Sequence, residues 1–107
     1  MRFVIRPAAK DDVTRQFRYY LLRDAVDAGM SFLDAVDDCI EAICLMPLIG
    51  TAKIVRNKAL AGLRFLPVKG FDAILVFYIV QKNVVRIVRV LDGRRNVAKI
   101  LLKETTE

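Results

Sequence analysis

Gly62-Leu63-Arg64-Phe65-Leu66-Pro67-Val68, then Phe71-Asp72-Ala73-Ile74-Leu75-Val76-Phe77-Tyr78-Ile79-Val80, then Val84-Val85-Arg86-Ile87-Val88-Arg89-Val90-Leu91 decide the fold. All three runs are rich in β-branched and aromatic residues, which favour strands. Gly70 separates the first two, and Gln81-Lys82-Asn83 supplies a hairpin turn between the last two. Ala73 to Val80 lacks polar alternation, so it is expected to be the central strand, buried on both faces.

Working outward, the first half has a different period. Phe3-Val4-Ile5 is a short β-like run ending at Pro7. Val13, Phe17, Tyr20, Leu21 and Ala28 then recur at helical spacing, with charged residues between them. Gly29 is expected to stop this helix, and Ser31 to cap a second one, whose apolar stripe is Phe32, Val36, Cys39, Ile40 and Ile43. Pro47 and Gly50 end it. Thr51 to Asn57 reads either as a weak strand or as an ordered loop, and Val97 to Leu102 as a short helix or tail. The expected class is α+β: a small antiparallel sheet with an N-terminal strand and a helical hairpin packed on one face, in the order β-α-α-β-β-β. Exposed Arg and Lys are expected to gather on the opposite, concave face.

A chain of 107 residues with 55% apolar side chains is expected to form one domain over residues 1–107, with a core that needs no disulfide. Its longest apolar run, Ala73 to Val80, is far short of the ~20 residues of a membrane-spanning helix. Charges interrupt any N-terminal signal region, so the expected location is cytoplasmic. Cys39 and Cys44 are five residues apart on a helix, point in different directions, and read as small core hydrophobes. No cofactor-binding motif, metal-ligand cluster or Ser/His/Asp set is present.

The net charge of +6 is unevenly spread. Met1 to Ala52 holds six Lys/Arg against eight Asp/Glu, whereas Lys53 to Lys103 holds twelve against Asp72 and Asp92 alone. So basic a second half suits an anionic partner, either nucleic acid or an acidic protein segment; the plainer alternative is a basic face kept for solubility.

In their order along the chain, Gly62-Leu63-Arg64, Pro67-Val68, Phe71, Arg89-Val90-Leu91, Gly93 and Arg95 resemble the signature of the ParE/RelE toxin superfamily. Pro7-Ala8-Ala9 with Asp12 is similar to the family's first strand-to-helix junction, and Pro47 with Gly50 to the Pro-x-x-Gly after its second helix. The resemblance implies a toxin of a type II toxin–antitoxin system, neutralised by an antitoxin with an extended tail. That tail is expected across the helical hairpin or along an exposed strand edge, its carboxylates meeting the basic second half. Two activities occur on this fold: ParE-like poisoning of DNA gyrase, and RelE-like cleavage of mRNA on the ribosome.

The sequence departs from the pattern by having no histidine; Asp92 stands where many relatives carry one, and Asn96 where the usual final Asp would be. RNA cleavage by 2′-OH attack needs proton transfer as well as cations. Arg64, Arg89 and Arg95 offer the cations, while Asp92, Tyr78 or Lys69 would have to serve as base. This thin set favours the gyrase-poison branch over the nuclease. A third alternative is an inactive relative or a nucleic-acid-binding module.

The residues expected to contact target or antitoxin are Arg64, Lys69, Arg89, Arg94, Arg95 and Lys99. Arg64 and Arg89 lie in otherwise apolar strands, so each reads either as an anion contact or as half of an ion pair with Asp72 or Asp92. Arg94, Arg95 and Lys99 read as partner contacts or as a solvated basic loop. Tyr78 reads as core before catalyst, and Asp92 as the residue that fixes the turn at Gly93.

Overall fold

The structure is a computed structural model, and it describes residues 1–104. Strand β1 (Arg2–Ile5) leads into helices α1 (Pro7–Leu21) and α2 (Val26–Leu45). Strands β2 (Thr51–Ala52), β3 (Arg64–Val68), β4 (Phe71–Gln81) and β5 (Val84–Asp92) follow, and then helix α3 (Val97–Leu101). The strands form one five-stranded sheet in the order β1-β5-β4-β3-β2. β1 runs parallel to β5 and the other pairings are antiparallel, with β4 at the centre, as its apolar run predicts. Lys82 and Asn83 both have positive φ, the conformation a tight hairpin turn requires. Thr51 to Asn57 is therefore a two-residue strand followed by a loop.

The helical hairpin turns earlier than its periodicity suggests. Pro7 opens α1, where its missing N–H costs nothing. The stop comes at Leu21: Asp24 takes the left-handed conformation (φ 54°), and the Ala25 N–H returns to the Tyr20 carbonyl at 2.9 Å. Gly29 and Ser31 thus lie inside α2, neither as a stop nor as a cap. A Cβ on Gly29 would sit 3.1 Å from the Phe17 ring and 3.3 Å from Tyr20 Cβ, so this glycine serves close helix packing. A three-residue look-alike of a helix end was in fact a helix–helix contact.

Two apolar layers sandwich the sheet. On the helix side, Phe32, Val36, Ile40 and Ile43 of α2 meet Val76, Tyr78, Val85 and Ile87. The opposite face carries a second core of Leu60, Leu63, Phe77, Ile79, Val88, Leu91, Val97 and Leu101. The segment between β2 and β3, with α3, closes over it. This corrects the expectation of a concave face lined with exposed Arg and Lys. Alternate side chains on β4 and β5 are apolar on both sides, and both sides must be shielded from water. The segment Val97 to Glu104 is accordingly a packed part of the molecule, while Thr105 to Glu107 lie outside the described residues.

Candidate functional site

Arg64 and Arg89, the strand arginines expected to contact a partner, are bound to the protein itself. Arg64 on β3 lies directly across from Tyr78 on β4, so both side chains leave the sheet on the helix side. Arg64 donates to the Gly50 carbonyl at 2.8 Å and to that of Leu48 at 3.4 Å. The Tyr78 hydroxyl donates to the Pro47 carbonyl at 2.8 Å and accepts the Gly50 N–H at 2.9 Å. A Cβ on Gly50 would stand 2.6 Å from the Tyr78 hydroxyl, which is why a glycine is required there. Pro47, Gly50, Arg64 and Tyr78 are therefore one knot that fastens the α2–β2 loop to the sheet. Burial pushes the Tyr78 hydroxyl above the ordinary tyrosine range, so it stays protonated at neutral pH.

Arg89 sits at a bulge. Phe77 pairs with Arg89 and Tyr78 with Ile87, so β5 carries Val88 as an extra residue. β1 pairs only as far as Ile87, leaving the following edge of β5 open. Asp12, from α1, fills that gap: its carboxylate accepts the Val90 N–H at 3.0 Å. Arg89 grips the same carboxylate with Nε and Nη2, both at 2.7 Å, the bidentate geometry of a strong charge pair. Its remaining nitrogen reaches Glu104, which also accepts from Arg6 at 2.8 Å. The Asp12 side chain is only 3% exposed. The hydrogen bond to Asp12 raises the Arg89 pKa, with a further rise from Glu104, so its charge is permanent.

Neither Asp72 nor Asp92 is the partner of Arg64 or Arg89. Asp12 and Glu104 went unnoticed in the sequence because each looks like a solvated charge, one in an Asp11-Asp12 pair and one near the end of the chain. The only local signal was the place of Asp12 after Pro7-Ala8-Ala9.

Asp92 behaves as a turn residue. It accepts the Arg94 N–H at 2.9 Å and the Arg94 guanidinium at 3.0 and 2.6 Å. The Arg94 side-chain bond, helped by its backbone N–H, holds the Asp92 carboxyl at about 2, which makes it a weak base. Lys69, Arg95 and Lys99 are exposed, and Arg94 projects into solvent beyond its pair with Asp92. Burial pushes the Cys39 thiol up to about 11, as suits a core residue, and both cysteines are free.

The structure therefore does not bring Arg64, Arg89, Arg95 and Tyr78 together around one open point. Arg64 and Tyr78 share the knot beneath α2, Arg89 holds the edge of β5, and Arg95 stands in the turn before α3. In the second half of the chain, basic groups reach the surface in the segment between β2 and β3 (Lys53, Arg56, Lys58), at Lys69 and Lys82, and from Arg94 to Lys103; Arg2, Lys10, Arg15, Arg18 and Arg23 are exposed in the first half. Among the described residues, no group of three or more His, Cys, Asp or Glu is placed to hold a metal ion. Nor is any helix among them long and apolar enough to cross a membrane.

Residues 3–97 match the family described as the ParE toxin of the type II toxin-antitoxin system, parDE. This chain belongs to the ParE toxin family. Among solved structures, a chain from the chromosomal ParDE toxin–antitoxin system of P. aeruginosa has the same fold, with a TM-score of 0.68 and 12% sequence identity. The similarity covers 84% of this ParE toxin and 92% of that chain. None of the curated proteins matches the sequence. Family membership makes this chain a toxin of a type II toxin–antitoxin system. It also gives the ordered motifs a physical meaning: Pro-x-x-Gly, the arginine of Gly-Leu-Arg and the central tyrosine are three parts of a single structural knot.

Proposed function

We propose that this ParE-family toxin arrests growth by binding and poisoning DNA gyrase, and that a cognate antitoxin neutralises it. It works as a single domain over residues 1–107, in the cytoplasm, by contact rather than by covalent chemistry of its own. One observation carries this reading: of the residues a nuclease would draw on, Tyr78, Asp92, Arg64 and Arg89 already have another task, while Lys69 and Arg95 stand exposed and apart from them. Tyr78 is buried with both hydrogen bonds committed, Asp92 is a weak base held by Arg94, and Arg64 and Arg89 are consumed internally. A binding poison needs none of them free. The chain from P. aeruginosa comes from a ParDE toxin–antitoxin system, which supports the pairing with an antitoxin.

The test is a gyrase supercoiling reaction with the purified protein. Loss of supercoiling, with linear gyrase-linked DNA at stoichiometric toxin, is the expected result. Normal supercoiling by a preparation that still arrests growth would defeat the gyrase reading and leave cleavage of mRNA at the ribosome as the activity to map.

A further inference from the structure

Arg86 stands apart from the other strand arginines. It pairs with Ile79 of β4, a residue of the second core, and with Val4 of β1. Directly paired residues put their side chains on one face, so Arg86 lies on the side of the sheet away from the long helices. Arg2, two residues before Val4, shares that face. The register sets the two backbones one strand over and two residues along, roughly 8 Å apart, a gap that long arginine side chains can close. Among the described residues, neither arginine forms an ion pair. Arg86 is half-buried, and its Nε is enclosed without a hydrogen-bond partner. Part of a guanidinium has thus left water with nothing in its place, which is unfavourable. Glu104 already serves Arg6 and Arg89. Among the described residues, the other carboxylates lie on or between α1 and α2, or beside Tyr19 and Tyr20 of α1, as Asp72 and Asp92 do.

We infer that Arg2 and Arg86 form an oxyanion site for a backbone phosphate of duplex DNA, the substrate that gyrase holds; the site rests on the gyrase reading and deepens it. A phosphate between the two guanidiniums supplies the acceptor that Arg86 lacks, with the charge-assisted geometry that arginine favours. β1 is the outer strand of the sheet, so no further strand stands between this pair and a duplex. The contact suits backbone rather than bases. The exposed aromatic side chains are Phe3 and Tyr19. Phe3 pairs with Val85 of the helix-side core, and Tyr19 lies on α1. The face that carries Arg2 and Arg86 therefore offers no exposed ring on which a base could stack, and a phosphate contact there carries no sequence information. An acidic protein strand fits less well: added to the edge of β1, it would meet Asp37 and Glu41, which flank Phe3 on the helix side.

The test titrates full-length toxin with a fluorescein-labelled duplex of twenty base pairs over a range of salt, comparing wild type, Arg86→Gln, Arg2→Gln and Arg18→Gln. Arg2 and Arg86 have no ion pair to lose, and Arg2 is exposed near the start of the chain, so at least that variant keeps the fold. Arg86→Gln and Arg2→Gln are each expected to weaken binding about tenfold. Each should also reduce the slope of log affinity against log salt by about one, equally on duplexes of unrelated sequence. Arg18→Gln removes an exposed cation of α1 and should leave that slope unchanged. In the supercoiling reaction, the two site variants should need about tenfold more toxin for the same linear DNA. Affinity and slope unchanged in both site variants would overturn the proposal, and so would wild type that binds no duplex. A polyglutamate peptide that binds more tightly than the duplex, and is lost in Arg86→Gln, would assign the arginines to a protein partner and overturn it too. The gyrase reading fails separately: wild type that binds duplex through these arginines yet leaves supercoiling intact would defeat that reading while the phosphate site stands.

Discussion

The two faces of the sheet are held together by different physics. On the helix side, apolar packing is fastened by a polar lock, the Pro47–Gly50–Arg64–Tyr78 knot, and at the open β5 edge Arg89 is clamped between Asp12 of α1 and Glu104 beyond α3. The far face is packed almost wholly by aliphatic and aromatic side chains beneath the β2–β3 segment and α3. The cations of those covering segments, Arg56, Lys58 and Lys99, stand outside that packing, at the surface. Arg64 and Arg89 within strands were recruited to satisfy backbone carbonyls and a buried carboxylate, because an unpaired buried charge is costly. Among the described residues, the lysines and arginines of the covering segments form no ion pair and stand available to a partner.

Breaking the polar side should cost most. Asp12→Ala leaves Arg89 with Glu104 alone and the Val90 N–H without its acceptor, and the expected loss is about 3–5 kcal/mol in urea unfolding. A loss below about 1 kcal/mol would mean that the edge lock is ornamental and that apolar packing alone holds both faces. On the apolar side, Leu101→Ala opens a void beneath α3 and should cost about 2–4 kcal/mol. An unchanged stability would make α3 a mere appendage. Tyr78→Phe removes one hydroxyl and strands the Pro47 carbonyl and the Gly50 N–H, for about 1–3 kcal/mol by the same measurement. Growth arrest by this variant should track the remaining folded fraction; its complete loss in a folded protein would restore Tyr78 as a catalyst.

Smaller effects sharpen the contrast at the surface. The Asp92 carboxyl is held at about 2, below the ~3.9 of an unfolded chain. Its contribution is therefore fully present above about pH 4 and is lost as pH falls through about 2. In NMR titrations the Arg94 amide and guanidinium signals should move in that window, and Asp92→Asn should abolish the shift. Cys44, half-buried, should be alkylated before Cys39, whose thiol burial has pushed up to about 11; mass spectrometry of a timed iodoacetamide reaction gives the order.

Much of the architecture was legible because short-range physics writes it. The unbroken apolar run Ala73–Val80 marked a central strand and Gln81-Lys82-Asn83 a turn, which the structure narrows to Lys82-Asn83 because Gln81 still pairs with Val84. The helical hairpin was visible in its period, yet its turn was misplaced. Gly29 marks a close helix contact as readily as a helix end, and only the position of Phe17 distinguishes them. The site was less legible. Arg64 and Arg89 were recognisable as unusual, since charge in an apolar strand demands an explanation. Their partners, however, are 14 and 77 residues away in the chain, at Gly50 and Asp12. No local pattern connects such pairs.

By itself the sequence determined the strand and helix content, the basic second half, the lack of histidine and the ordered motifs of the ParE family. These depend on composition and on neighbours a few residues apart. Only the tertiary structure decided which charges are spent inside and which are left for a partner. A charge is paired or free according to what the fold brings within about 3 Å of it, and that distance is set by chain reversals, a β-bulge and the docking of α3 rather than by spacing along the chain.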